Sequence, residues 1–314
     1  QKGDRQPMKQ DTKITEEIRI KNAHQHFESN RYDKESLRDW YVRFMEWMRV
    51  NRYSERTLAS RKHHLRYFIL WCEERDLNRG FEITKPILDR YQRFLYQSRK
   101  SNGEPLSPGT QNARLASVKA FFRWMMKQNL ILFNPASEIE MPKVPYVLPR
   151  LILTVSQMEE ILSQPDLNTS KGIRDRAIME VFYSTGIRRC ELIGLSTEDI
   201  DWMRETLFIN QGKGYRDRVV PIGTRALLWV KKYIEEVRTH LSNDPAEKTL
   251  FLCPKGRPIG PKRLSDWMKT YLKSAGITQR GSCHLFRHTA ATLMLENGAD
   301  TRYIQQLLGH SKLE

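Results

Sequence analysis

Three short segments carry most of the chemistry this sequence could do. Ser184-Thr185-Gly186-Ile187-Arg188-Arg189-Cys190-Glu191-Leu192 lies near the middle of the chain. Cys283-His284-Leu285-Phe286-Arg287-His288 follows about a hundred residues later, and Leu308-Gly309-His310-Ser311 comes one helix length after that. Between them they offer arginines and histidines at widely separated positions, each beside a helix boundary. Guanidinium forks match the oxygens of a phosphate diester bidentately, and imidazoles can move protons near neutral pH. The combination therefore suits a grip on one phosphate diester. A solitary histidine would more simply be a satisfied core residue; several matched groups from distant segments argue for a site.

Local signals indicate how these groups are held. Gly186 breaks a largely apolar helix over residues 173–183 and presents Arg188 at the start of a new short helix. Arg188 lies between apolar segments, where an unpaired charge is costly unless an anion arrives. Glu191, about one turn on, is placed to hold Arg188 or a catalytic histidine. Residues 284–297 read as a helix ended by Gly298, with Asp300 capping the next helix, which Gly309 ends. His284 and Arg287 share one face of the first of these. Thr206-Leu207-Phe208-Ile209 and Arg218-Val219-Val220-Pro221-Ile222 read as two hairpin strands with Gly212-Lys213-Gly214 in the turn region. That Gly-Lys-Gly lacks the remaining glycine, the Lys-Ser/Thr end and the following helix of a nucleotide-binding loop.

The rest of the chain sets the context. Its 314 residues suffice for two domains, and its net charge is +16. Residues 1–150 hold 29 Lys+Arg against 18 Asp+Glu, and residues 151–314 hold 24 against 19, so both halves are basic. Nucleic acid is the natural partner of such a surface, because neutralising phosphates releases condensed counterions. A mean hydropathy of −0.64 and the lack of any run of about 20 apolar residues argue against a membrane span. The polar residues 1–13 do not read as a secretory signal. Four cysteines without a C-x-x-C pair suit a reducing cytoplasm. Cys283, His284 and His288 have a spacing a metal can use, but no second ligand cluster lies nearby in sequence, and no metal is assigned.

Organisation follows from composition. Residues 1–34 read as a polar arm. Residues 35–133 show helical periodicity, with Leu37, Trp40, Tyr41, Phe44, Met45 and Met48 forming a first apolar face and Leu115, Val118, Phe121, Phe122 and Met125 a last one. These large residues are read as the core of a four-helix domain. Arg52, Arg56, Arg61, Lys62, His63 and Arg66 crowd one helix and its approach with only Glu55 as counter-charge, which marks a phosphate-tracking face. Residues 134–152 contain Pro135, Pro142, Pro145 and Pro149 and read as an extended linker before a second domain at 153–314.

The three chemical segments, in this order and spacing, resemble the catalytic boxes of the tyrosine recombinases, the family of phage integrases and Xer-type enzymes. The likeness is strong over 153–314 and looser over 35–135. It implies a mainly α fold with a small β-hairpin or sheet in the second domain, the two domains closing on DNA as a C-shaped clamp. It further implies an enzyme that cuts and rejoins DNA through a 3′-phosphotyrosyl link. Arg188, Arg287 and His310 would hold the phosphate and His284 would assist proton transfer. Lys213 would be the general acid, while Glu191 and His288 would be supports. The partners implied are double-stranded DNA bearing a specific site and a homo-tetramer on two duplexes, with no metal or nucleotide cofactor and a nucleoid-associated, cytoplasmic location. The family's tyrosine follows the last histidine, whereas this sequence stops at Glu314; the chain alone is expected to bind DNA and not to cleave it. Tyr303 precedes His310, where the family packs an aromatic, and is not taken as the nucleophile. A non-cutting regulator of the same fold and a type IB topoisomerase are the alternative readings.

Overall fold

The computed structural model describes residues 34–145, 152–210, 217–242, 244, 246–278 and 281–309. The chain divides into two compact units, residues 1–146 and 147–314. It is mainly helical, with one small antiparallel sheet.

The first unit holds α1 (Leu37–Val50), α2 (Glu55–Glu73), α3 (Lys85–Gln97) and α4 (Pro108–Lys127). Local chemistry sets the helix starts. Ser36, Ser54 and Ser107 each accept a hydrogen bond from a backbone amide of the first turn, and Pro108 occupies a position where no amide hydrogen is needed. The apolar faces expected from periodicity are the faces that bury: Leu65, Phe68, Leu115, Val118, Phe121 and Phe122 are all fully enclosed. Aromatic rings fill this core in tilted and edge-on pairs, including Phe68 with Tyr91 at 5.0 Å and Phe44 with Phe121 at 5.5 Å.

One expectation changes here. The proline-rich stretch does not start as a free linker at residue 134, because Ala136 and Ile139 are buried in the first unit's core. Lys119 donates to the carbonyls of Ser137 and Ile139, Gln92 to that of Glu140, and Asn112 to that of Pro142. Proline removes backbone donors, and here the exposed carbonyls of the segment are satisfied by side chains of α3 and α4 instead.

The second unit comprises α5 (Val155–Ser163), α6 (Ser170–Thr185), α7 (Arg189–Gly194), β1 (Ile200–Asp201), β2 (Thr206–Ile209), β3 (Arg218–Pro221), α8 (Thr224–Tyr233), α9 (Pro261–Ser274), α10 (Cys283–Glu296) and α11 (Thr301–Leu308). Helix α8 runs on through a π-helical turn, Ile234–Arg238. The strands pair in the order β1-β2-β3, with Leu207 opposite Val220 and Phe208 opposite Val219. The hairpin thus gains a short third strand, and Leu207, Ile209 and Val220 point into the core. Helix α6 is buried on nearly all sides and begins at Ser170, three residues before its apolar run, because Thr169 caps the Gly172 amide.

Its burial includes an ion pair that periodicity could not reveal. Arg174 donates twice to Asp175 Oδ1, at 2.9 and 2.7 Å, and once to the Leu252 carbonyl, while its guanidinium lies 4.1 Å from the Trp267 ring. Tyr271 donates to the other oxygen of Asp175 at 2.7 Å. A charge buried to this depth is tolerable only with such complete satisfaction.

Candidate active site

Arg188 is the N-cap residue of α7, delivered there by the left-handed Gly186 that ends α6. Its backbone amide donates to Glu191 Oε2 at 2.8 Å and its Nη1 to Oε1 at 2.9 Å. Glu191 therefore holds Arg188, one of the two roles open to it from sequence. The same carboxylate receives a second arginine: Arg218, the first residue of β3, donates to Oε1 at 3.0 Å and to Oε2 at 2.8 Å. All four lone-pair positions of the carboxylate are occupied. Burial alone would raise its pKa, but the hydrogen bonds from Arg218 and Arg188 outweigh this and hold it at about 2.

Three guanidiniums then converge on the end of α11. Arg218 Nε donates to the Leu307 carbonyl at 2.8 Å, Arg287 Nη2 to Leu308 at 2.6 Å, and Arg188 Nη2 to Gly309 at 2.7 Å. The last carbonyls of a helix lack intrahelical partners and carry its negative dipole end, so cations are favoured there. Arg287 also donates to the Gly186 carbonyl at 2.7 Å, joining the ends of α6 and α11. It is buried, and desolvation, followed by the positive charge of Arg188, lowers its pKa to about 10. Gly309 is left-handed, with φ of 65°, and a Cβ there would lie 3.3 Å from Arg188 Nη1. The backbone lies flat against the guanidiniums because no side chain intervenes.

The other predicted residues are placed as follows. His284 and His288 are both exposed on α10. Desolvation and the charge of Arg287 push His288 below its ordinary value. Lys213 and His310 lie outside the described residues. Tyr303 is 53% exposed in the first turn of α11, not packed as expected, and sits at the opposite end of that helix from the arginines. Among the described residues, no group of three or more His, Cys, Asp or Glu could hold a metal ion, and no helix is long and apolar enough to cross a membrane.

In the first unit, Arg52 and Arg56 are exposed, whereas Arg61, Lys62 and Arg66 are half-buried along α2. Burial lowers the pKa of Arg61. Helix α4 adds residues that the sequence pattern did not single out. Arg114 lies 4.2 Å from the Tyr67 ring, and His64 Nδ1 is 3.1 Å from Ser117 Oγ. The Ser117 hydroxyl donates to the Ala113 carbonyl, so neutral His64 carries its proton on Nδ1. Burial first, then His63 and Arg114, lower the His64 pKa to about 4. Two helices, rather than one, thus build this basic face.

Residues 152–314 match the phage integrase family, and residues 40–132 match the phage integrase N-terminal SAM-like domain. The sequence is 46% identical over 268 residues to a tyrosine recombinase XerC 2 of Ralstonia nicotianae, spanning 85% of this chain and 77% of that protein. The chain belongs to the phage integrase family. A tyrosine recombinase XerD of Pseudomonas putida is 32% identical over 260 residues, 83% of this chain and 84% of its own. Among solved structures, a lambda integrase dimer bound to a COC' core site aligns with a TM-score of 0.65 at 18% identity, over 88% of this chain and 96% of that one. A lambda integrase tetramer bound to a Holliday junction gives 0.65 at 18%, over 97% and 89%. These two share the fold. Arg218 is a further residue of the arginine cluster that the sequence pattern did not single out. Its one visible signal is a charged residue opening a strand that otherwise reads Val-Val-Pro.

Proposed function

We propose that this protein is a site-specific tyrosine recombinase that cuts and rejoins double-stranded DNA. The observation carrying this reading is the convergence of Arg188 and Arg287, from segments 99 residues apart in sequence, onto adjoining carbonyls at the end of α11. Each directs two of its five N–H donors to the protein in the bonds given above, which fixes the guanidinium plane and leaves donor capacity for phosphate oxygens. Its relatives are tyrosine recombinases of the XerC and XerD kinds.

In this mechanism a tyrosine oxygen attacks the scissile phosphorus and its proton leaves with help from His284. Arg188, Arg287 and His310 stabilise the added negative charge on the non-bridging oxygens, the largest expected contribution. The phosphorus–O5′ bond breaks, and Lys213 gives a proton to the departing 5′ oxygen. The 3′-phosphotyrosyl ester keeps the bond energy, so a 5′ hydroxyl from a second duplex can reverse the step and exchange strands. Two duplexes cut at paired sites call for four protomers. Backbone contacts from Arg52, Arg56, Arg61, Lys62 and Arg66 would fix the first unit on the duplex.

The test is a nicked suicide substrate with a form of the protein that carries the tyrosine beyond the Gly309-His310 box. A covalent adduct should appear on a denaturing gel and vanish in Arg188→Ala, with site binding largely retained. Binding without any adduct would favour a non-cutting regulator. An adduct formed by a protein that relaxes supercoils but never joins two sites would favour a topoisomerase.

A further inference from the structure

Arg218 is not placed like a phosphate ligand. Both of its Nη groups face the Glu191 carboxylate, at 3.0 and 2.8 Å, and its Nε is bonded to the Leu307 carbonyl. Its side chain is 12% exposed and that of Glu191 6%. Bidentate pairing plus a third bond in the same plane fixes a guanidinium completely, which a lysine point charge cannot reproduce. The residue also stands where three elements meet. It opens β3 directly after the stretch containing Lys213, it shares Glu191 with Arg188, and it holds the end of α11 just before His310.

We infer that Arg218 is a positioning residue that ties β3 to the Arg188–Glu191 pair and to the end of α11, setting where Arg188 and the Gly309 carbonyl stand relative to the phosphate site. This rests on the recombinase reading for its catalytic consequence, though not for the coupling itself. Neither Arg188 nor Arg287 can substitute for it. They occupy the neighbouring carbonyls of Gly309 and Leu308, leaving the Leu307 carbonyl and half of the Glu191 acceptors to Arg218. Losing it removes three charge-assisted bonds at once. Two of them tie the strand to the carboxylate and one ties it to the helix end.

The coupling can be read without cleavage. In the full chain with isotope-labelled glycine, the Gly309 amide signal is assigned by its loss in Gly309→Ala. Arg218→Ala and Arg218→Lys should each move that signal. Arg238→Ala removes an arginine that instead holds the carbonyls of Glu247 and Thr249, so it should lower the melting temperature and leave the Gly309 signal where it was. In the tyrosine-bearing form at saturating DNA, both Arg218 variants should slow cleavage on the order of 10²-fold, the loss expected of a small misplacement. Site affinity should stay within about twofold, because affinity is spread over many backbone contacts. Arg218→Lys keeps charge and stem, and serves if the alanine variant does not fold. A Gly309 signal in Arg218→Lys that overlays the wild type, or wild-type cleavage by that variant, overturns the inference. Absence of cleavage in the wild type would instead sink the recombinase reading, while the glycine spectra would still report whether Arg218 couples these elements.

Discussion

Replacing Glu191 with glutamine should expose how strongly the arginine cluster depends on one carboxylate. The carboxylate accepts four hydrogen bonds, three of them from guanidinium nitrogens and one from the Arg188 amide. A glutamine offers one oxygen and turns an NH2 donor towards groups that are themselves donors. The magnitude follows from the pKa, which falls from an ordinary 4.5 to about 2 in the folded protein. At about 1.4 kcal/mol per tenfold change in proton affinity, the ionised carboxylate contributes roughly 3 kcal/mol. The side chain is only 6% exposed, so solvent screening removes little of this. A depressed folded-state pKa gives stability that is fully present above 4.5 and lost as pH falls towards 2. The gap between wild type and Glu191→Gln should therefore be full at neutral pH and narrow steadily below 4.5. Urea unfolding at pH values of about 7, 5 and 3, read for each unit by pulse-labelled hydrogen exchange, measures it. A gap below about 1 kcal/mol at neutral pH would refute the reasoning, because an exposed pair could account for that much. So would a gap that does not shrink in acid.

What could be read from the sequence depended on whether a residue's role was local. Ser54, Ser107 and Asp300 cap their helices because capping is decided within three residues, and the apolar stripes of α1, α2 and α4 bury because a period of 3.6 fixes one face. Gly186 and Gly309 could be read as helix stops for the same reason, and both are left-handed. Arg188 and Arg287 stood out because their segments combine with histidines in a recognisable order. Arg218 did not, since its partners Glu191 and Leu307 lie 27 and 89 residues away and nothing nearby records them. Arg114 was missed likewise: its partner ring, Tyr67, lies on another helix. The proline-rich stretch misled in the opposite direction. Prolines exclude a helix but not packing, and Ile139 is buried through its own apolar side chain.

The remaining expectations concern the cluster's backbone, the basic face and the leaving group. Gly309→Ala must bear left-handed strain of about 1–2 kcal/mol and place a Cβ 3.3 Å from Arg188 Nη1. Gly298→Ala, equally left-handed but with open space around it, should cost only the strain, and matching melting shifts for the two would show that the contact is immaterial. On the first unit, Arg61→Ala and Arg114→Ala should each reduce the slope of log affinity against log salt by about 1. Arg75→Ala, whose guanidinium rests on the Trp71 ring, should leave the slope unchanged; a uniform effect would mean that no particular face meets the DNA. The last expectation separates two kinds of catalytic help. A sulfur at the 5′ bridging position leaves as a thiolate, whose conjugate acid has a pKa of about 8.5, so its departure needs no proton near neutral pH. Lys213→Ala should therefore regain cleavage on that substrate in the tyrosine-bearing form. Arg188→Ala should not, because charge on the non-bridging oxygens still develops when the leaving group no longer needs an acid. Equal rescue of both variants would remove the distinction between proton donor and phosphate ligand, and failure to rescue Lys213→Ala would take that lysine out of the proton transfer.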